Sequence, residues 1–209
     1  LFGITNSAKQ VALAREYAAH LGLSKRCRFV HSDFALPTNL SRADLVFAIE
    51  SHVHTDSAAR FLDAARNHLA PGGLLIVVDD MLAREENGLT EAQQQLVSSF
   101  RKGWRLGHVS AWSTLLAEAT AMGFDPLAER DLTTLLRLDR LRDRILRVVG
   151  PLADRMGLSR YPLFSNMVGG NALTESYRAG IMQYRLVALR APENALVQDR
   201  GATAVRDAA

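Results

Sequence analysis

The sequence predicts an α/β protein with a mostly parallel β-sheet covered by helices on both faces. Two observations lead to this prediction. Strand-like and helix-like segments alternate as far as residue 80, and such alternation is typical of βαβ units with right-handed crossovers. The continuous apolar run in GGLLIVVDD is typical of a parallel strand that is buried on both faces.

The first half of the chain divides into clear elements. Residues 1–5 are strand-like, and a helix follows over residues 7–22. Ser7 and Gln10 have the spacing of a capping box, and Gly22 is a typical helix stop. Two more strands and a second helix follow, with the sequences RCRFVHSD, ADLVFAIE and SAARFLDAARNHLA; the helix ends at Pro71-Gly72-Gly73.

The second half is richer in helix. Residues 85–104 are polar and largely helical, and SAWSTLLAEATAMGF is an amphipathic helix that ends at Gly123. FDPLAERDLT predicts a short strand, and residues 135–156 predict an Arg-rich helix. GIMQYRLVALRA predicts the last strand. Residues 192–209 show no periodicity, and we expect them to form a disordered tail.

Composition restricts the classes of function. The chain has 209 residues, and its 25 basic and 22 acidic side chains give a net charge of +3. This balance argues against a nucleic-acid partner. The single cysteine, Cys27, excludes an internal disulfide framework and favours a reducing compartment, so we expect a cytoplasmic protein. The sequence contains no apolar run of about 18 residues that would span a membrane.

Polar residues stand where the predicted strands end. Carboxyl ends of parallel strands lie at one edge of a sheet, where open α/β proteins bind ligands. Four polar ends therefore predict a cleft, and they are Thr5-Asn6, Ser32-Asp33, Glu50-Ser51 and Asp79-Asp80. The two neighbouring aspartates also admit a metal site, but we expect no metal.

Several segments of the chain stand in a characteristic order and spacing. They are GITNSAKQ, RFVHSDFALP, AIESHVH, LAPGGLLIVVDD, MGF with ERDLT, and ESYRAGIMQYRLVALRA. Together they resemble the class I S-adenosylmethionine-dependent methyltransferases, especially the branch of sterol, tocopherol and related small-molecule methyltransferases. The resemblance covers most of residues 1–191. It implies a Rossmann-like doubly wound, mostly parallel sheet with an antiparallel last strand.

One motif of that family is missing from the sequence. The family's domain begins with a strand and a glycine-rich loop, which lets the backbone approach the cofactor closely. The glycine pairs here are Gly72-Gly73 and Gly169-Gly170, which stand elsewhere. In the family, the lead strand lies between the strands that match residues 1–5 and 43–49. We therefore expect an N-terminally truncated domain.

The resemblance implies S-adenosyl-L-methionine as cofactor. Thr5, Asn6 and Gln10 would bind its ribose hydroxyls, although Gln10 could instead complete the capping box. Asp33 would accept a hydrogen bond from the adenine amino group, with Phe34 packed nearby. The alternative for Asp33 is a turn cap.

The residues that follow the third strand would face the reaction. Ile49 and Glu50 would lie against the methionine part of the cofactor. Glu50 and His54 are the predicted catalytic residues, since histidine is a natural general base near neutral pH. The alternative for His54 is an ordinary surface histidine.

Three further residues would contact the acceptor. They are Ser51, His52 and Asp79, and Asp79 could orient an acceptor hydroxyl or amine. Fatty-acid cyclopropanating relatives carry a glutamate where Val53 stands here. This difference argues against a cyclopropane synthase.

The implied reaction is an in-line methyl transfer to a small apolar, aromatic or lipid-like acceptor. A dry site favours this transfer because the sulfonium loses its charge. We therefore expect a helical lid inserted over about residues 135–165, with Phe164 and Met167 walling the acceptor. The alternative is an ordinary amphipathic helix whose arginines face water. A basic lid would permit peripheral membrane contact, and a homodimer is compatible with the sequence.

Two alternatives belong to other classes of protein. An NAD enzyme would need G-x-G-x-x-G and an acidic residue for the ribose, but Thr5-Asn6 stand at the acidic position. A non-catalytic scaffold that has lost cofactor binding stays open as an alternative, because the glycine-rich loop is missing.

Overall fold

The computed structural model describes residues 1–36, 40–136, 138 and 162–193. The described strands are β1 (Phe2–Thr5), β2 (Arg28–His31), β3 (Ala43–Ile49), β4 (Leu69–Leu82), β5 (Asp125–Asp131) and β6 (Met182–Arg190). The described helices are α1 (Ala8–His20), α2 (Ala58–His68), α3 (Glu91–Trp104), α4 (Trp112–Ala121) and α5 (Pro162–Arg178). Short 3₁₀ turns lie at His52–His54, Glu86–Gly88 and Thr133–Leu135.

The strands form two sheets. β1 and β2 are parallel and make a two-stranded sheet, while the other strands have the order β3-β4-β6-β5. β3 is parallel to β4, whereas β6 runs antiparallel to both β4 and β5. The predicted α/β class and the antiparallel last strand are confirmed. Among the described residues, no strand pairing joins β1 to β3.

The main core lies where α2 and α4 pack against the four-stranded sheet. Its buried side chains include Phe61, Leu62, Leu75, Val77, Leu115 and Leu189. A second core joins α3, α5 and the adjoining ends of β4 and β6, and it includes Leu82, Val97, Phe100, Ala172, Ile181 and Met182. The fold therefore fixes the carboxyl end of β4 from both sides.

One face of β3 is open in the part of the chain that is described. Val46 and Ala48 pack against the main core. Leu45, Phe47 and Ile49 point to the opposite face, because side chains alternate along a strand, and they are between 47% and 57% exposed.

Several element boundaries differ from the sequence prediction. β4 already begins at Leu69 and runs through Pro71-Gly72-Gly73, where the sequence suggested a helix stop. The predicted helix over residues 85–104 is a 3₁₀ turn followed by α3, which begins after a capping box of Thr90 and Gln93. Leu69 pairs with Ala43 of β3 and Leu74 pairs with Leu45, with a register shift in between, so the Pro-Gly-Gly segment lies in an irregularity of the ladder.

Helix α5 was not predicted at all. Gly169 and Gly170 stand in its middle, and glycine disfavours helix interiors. Most of the predicted lid, residues 139–161, and most of the predicted tail, residues 194–209, lie outside the described residues. Of the two predicted lid side chains, that of Phe164 is also outside them, while Met167 is a half-buried residue of α5.

The crossing of α3 and α5 gives Gly169 a steric role. A Cβ atom added at Gly169 would lie 2.7 Å from Cδ1 of Trp104 and 2.9 Å from Cα of Gly103. A Cβ atom added at Gly170 would meet no heavy atom within 4 Å. The two adjacent glycines therefore make a matched pair for substitution.

We expect Gly169→Ala to lower the free energy of unfolding by about 1–3 kcal/mol, because the two helices must separate. Gly170→Ala should raise it by about 0.5–1 kcal/mol, since alanine favours a helix. Urea unfolding of both variants measures these changes. Equal effects at the two positions would contradict the close helix crossing.

Candidate functional site

The end of β1 brings together the residues predicted to bind a ribose. The hydroxyl of Thr5 donates to Oε1 of Gln10, and the backbone N–H of Gln10 donates to Oγ of Ser7 over 3.3 Å. Gln10 thus completes only half of the capping box. Nε2 of His31 donates to the carbonyl of Asn6 over 3.0 Å and ties the end of β2 to the end of β1.

The segment after β2 is anchored to α2. Oδ1 of Asp33 accepts from the N–H of Ala35 over 2.9 Å, which makes the turn cap that the sequence left open. The ring of Phe34 packs edge-on against Phe61, with ring centroids 5.7 Å apart. The carbonyl of Phe34 accepts from Nε2 of His68 over 2.9 Å. The second carboxylate oxygen of Asp33 faces the guanidinium of Arg60 at 3.9 Å.

Glu50 directly follows β3 and has an unusual backbone. Its φ of 50° lies in the left-handed region, which is uncommon for a residue with a side chain and is often found at functional sites. The N–H of Glu50 donates to the carbonyl of Val78 over 2.9 Å, so the ends of β3 and β4 stay aligned. The hydroxyl of Tyr184 donates to Oε1 of Glu50 over 3.2 Å.

Asp79 lies at the centre of this sheet edge and is fully buried. Its Oδ2 accepts from the N–H groups of His52, over 2.8 Å, and Val53, over 3.4 Å, while Oδ1 accepts from the N–H of Asp80 over 2.9 Å. Burial raises the pKa of Asp79 to about 7, although the bonds from backbone N–H groups oppose this shift. Its carboxylate is therefore committed to holding the His52–His54 turn.

Asp80 forms a carboxylate–phenol pair with α5. The hydroxyl of Tyr177 donates to Oδ1 of Asp80. Burial raises the pKa of Asp80 to about 6, the bond from Tyr177 opposes this shift, and the charge of Glu50 adds to it. Burial also raises the pKa of Tyr184 to about 12, and Glu50 contributes to that shift. Glu50, Asp80 and the two tyrosines thus form one polar group at the ends of β3 and β4.

The predicted residues of the turn differ in exposure. His52 is fully buried, Ser51 is half-buried, and His54 is exposed. The side chain of Ile49 is 57% exposed at the end of β3. The roles predicted for these four residues stay predictions, but only His54 and Ile49 present largely accessible side chains.

Sequence reasoning missed three residues of the site. Tyr177 is the partner of Asp80, Tyr184 is the partner of Glu50, and His108 contacts His52. Asp80 and Tyr177 are 97 positions apart in the chain, and Glu50 and Tyr184 are 134 apart. Spacing carries no signal at such separations. The only available sign was the position of Tyr184 near the start of the last strand.

The described part of the chain contains neither a candidate metal site nor a candidate membrane span. No group of three or more His, Cys, Asp or Glu side chains there is arranged to hold a metal ion. None of the described helices is long and apolar enough to cross a membrane.

Comparison of sequences points to one family. The family described as "Methyltransferase domain" matches residues 1–77. The chain is 24% identical over 135 residues to sterol 24-C-methyltransferase of Pneumocystis carinii, covering 64% of this chain and 36% of that protein. It is 25% identical over 134 residues to the enzyme of the same name from Schizosaccharomyces pombe, covering 64% of this chain and 35% of that protein. The chain spans about a third of the length of these curated relatives.

Solved structures share the fold over nearly the whole chain. Geranyl diphosphate C-methyltransferase from Streptomyces coelicolor A3(2) superposes with a TM-score of 0.66 at 19% identity, covering 90% of this chain and 62% of that one. The [4+2]-cyclase SpnF superposes with a TM-score of 0.61 at 25% identity, covering 92% of this chain and 66% of that one. The motifs, the matched domain over residues 1–77 and the shared fold agree, and each is similar to the class I S-adenosylmethionine-dependent methyltransferases, with sterol 24-C-methyltransferases among the relatives.

Proposed function

We propose that the protein transfers a methyl group from S-adenosyl-L-methionine to a small acceptor of apolar, aromatic or lipid-like character. The observation that carries this proposal is the sheet edge itself. Polar side chains follow β1, β2 and β3 within the matched domain, and the carboxylates of β4 are bonded to the turn after β3 and to α5. Ligands of open α/β sheets bind at such an edge.

The residues present fit the cofactor chemically. Oδ1 of Asp33 is bonded to its own turn, so Oδ2 stays available to accept from an amino group such as that of adenine. Thr5, Asn6 and Gln10 stand together at the end of β1, where they would bind ribose hydroxyls. The exposed side chain of Ile49 offers an apolar surface at the end of β3.

When bound, the cofactor supplies an electrophilic methyl group on a positively charged sulfur. The protein's own task is to align an acceptor and to take up its proton. Glu50 and Asp80, each hydrogen-bonded to a phenol, would orient an acceptor hydroxyl or amine. Asp80, with its pKa raised to about 6, is suited to accept a proton near neutral pH, and the exposed His54 is the predicted second base.

The names of the relatives support an apolar acceptor. Sterol and geranyl diphosphate, named for two of them, both contain a hydrocarbon part built from isoprenoid units. In this chain, the partly buried Leu173 and Tyr184 lie against the second core, next to the Asp80–Tyr177 pair. We therefore place the acceptor between the end of β4 and α5.

Methyl transfer from isotopically labelled S-adenosylmethionine to a panel of sterols, prenyl diphosphates and aromatic alcohols tests this function. The protein should transfer the label to at least one member of the panel. Tyr177→Phe should lower kcat/KM about tenfold or more, the cost of one hydrogen bond that orients the acceptor. His20→Ala is the control, because that side chain is exposed on α1.

A second function is supported by one specific finding. A structural neighbour is named a [4+2]-cyclase, so this fold also occurs in a protein named for a different reaction, and the fold alone does not determine the chemistry. Cofactor binding without label transfer to any acceptor would favour a protein that uses the fold in another way.

A further inference from the structure

The loop between α3 and α4 packs against the His52–His54 turn. We call residues 105–109 the docking loop. The N–H groups of Gly107 and His108 both donate to the carbonyl of Val53, over 3.0 and 3.3 Å. The backbones approach so closely that a Cβ atom added at Gly107 would lie 2.1 Å from the carbonyl oxygen of Thr55. The docking loop is therefore fitted to this turn.

Hydrogen bonds determine which ring nitrogens of His108 and His52 carry hydrogen. Nδ1 of His108 lies 2.7 Å from the carbonyl oxygen of Thr55, and a carbonyl can only accept. Nδ1 of His108 must therefore carry the hydrogen, and Nε2 of the neutral ring is an acceptor. That nitrogen lies 3.2 Å from Nε2 of His52, which must donate.

The same reasoning accounts for the one unpaired nitrogen. With hydrogen on Nε2, Nδ1 of His52 is left as a bare acceptor. Nδ1 of His52 is a buried atom without a hydrogen-bond partner, and a bare acceptor without a partner costs less than an unpaired N–H group would. The rings also stack edge to face, with centroids 4.5 Å apart, and His52 packs edge-on against Phe61.

The backbone of His52 is held at both ends. Its N–H donates to Asp79, and its carbonyl accepts from the hydroxyl of Thr55 over 2.7 Å. Glu50 and Ser51 lie directly before it. A shift of the His52 ring would therefore move the segment that we assign to the cofactor and the acceptor.

We propose that His108 is a positioning residue: its ring, fixed by the Thr55 carbonyl, accepts the Nε2 hydrogen of His52 and holds the His52–His54 turn, and with it Glu50 and Ser51, in the geometry of the candidate site. This role rests on the proposed function. It depends on His108 being neutral, because protonation replaces the accepting lone pair with a second N–H group.

The charged groups around the pair come from α3, from α4 and from the segment before α2. Burial is the main cause that lowers the pKa of His108, and the charge of Arg101 in α3 lowers it further. The hydrogen bond with Thr55 and the charges of Glu118 in α4 and of Asp56 raise it. Burial, followed by the charge of His108, lowers the pKa of His52 to about 3. Both rings are therefore neutral in the folded protein at pH 7.

The first test is the tautomer pattern, measured by ¹⁵N NMR of histidine-labelled protein at pH 7.5. We expect His108 with hydrogen on Nδ1 and His52 with hydrogen on Nε2. Assignment uses His108→Gln and the exposed His20→Ala as reference variants. Hydrogen on Nε2 of His108, or averaged signals from both tautomers, would overturn the proposal.

The second test is the pH dependence of unfolding. A histidine whose folded pKa is lowered contributes stability that is full above about pH 6.5 and is lost as pH falls. Between the unfolded and the folded pKa of such a ring, the unfolding equilibrium constant rises about tenfold for each unit by which the pH falls. The raised pKa values of Asp79 and Asp80 act with the opposite sign, but equally in wild type and variants.

His108→Gln separates the two roles of the ring. Glutamine can still accept from His52 but does not titrate. We expect its stability to fall less steeply as the pH drops below about 6.5, because one titrating ring is gone, while His108→Ala loses both bonds. Identical slopes for wild type and His108→Gln would contradict a neutral, accepting His108.

Cofactor titration at pH 7.5 connects the pair to the site. We expect His108→Ala to bind S-adenosylmethionine about tenfold more weakly, the equivalent of one hydrogen bond, and His108→Gln to recover most of the affinity. Equal affinity of His108→Ala and wild type overturns the positioning role. If the wild type binds no cofactor, the proposed function is overturned instead. The NMR tautomer pattern and the pH dependence of unfolding then still decide whether His108 holds the His52–His54 turn.

Discussion

Replacing Asp79 with alanine should lower the free energy of unfolding by about 3–5 kcal/mol. The carboxylate of Asp79 is fully buried and accepts from three backbone N–H groups, those of His52, Val53 and Asp80. Alanine leaves all three without a partner, and each unsatisfied buried group costs about 1–3 kcal/mol. Urea unfolding at pH 7.5 measures the loss.

Asp80→Asn is the matched control for this substitution. Its amide oxygen can still accept from the hydroxyl of Tyr177, and its size is unchanged, so we expect a loss below about 1 kcal/mol. If Asp79→Ala were as stable as Asp80→Asn, Asp79 would not be the anchor of the His52–His54 turn.

Gly107→Ala is expected to have the next largest effect. The new methyl group would lie 2.1 Å from the oxygen and 2.7 Å from the carbon of the Thr55 carbonyl. Both are backbone atoms, so the docking loop itself must move, and overpacking of this kind costs about 1–3 kcal/mol. The movement should also break the bond between His108 and His52, which ¹⁵N NMR of the imidazoles reports directly.

Gly88→Ala provides the comparison for Gly107→Ala. A Cβ atom there meets only the side chain of Arg84, at 3.9 Å. We expect a change within about 0.5 kcal/mol, as for ordinary surface substitutions. An unchanged histidine pattern in Gly107→Ala would show that the docking loop does not control the turn.

The sequence was most informative where local patterns suffice. The apolar run of β4 and the alternating apolar residues of β6 predicted strands that the structure contains. Ser7 marked the start of α1 correctly. These features depend on neighbours within a few residues, which is the range over which periodicity and capping act.

Tertiary packing explains what the sequence did not reveal. Glycine disfavours helix interiors, yet α5 needs a glycine at position 169 to approach Gly103. His108 had no recognisable partner in the sequence, because His52 is 56 positions away. Asp79 looked like a residue for the acceptor, and its use as an anchor for backbone N–H groups follows only from three-dimensional contacts.

The measurement that tests the central claim most directly is calorimetric titration of S-adenosylmethionine into the folded protein and into its Asp33→Ala variant. We predict saturable binding by the protein, which Asp33→Ala weakens about tenfold by removing the acceptor for the adenine amino group. Lack of binding by the folded wild-type protein would contradict the account.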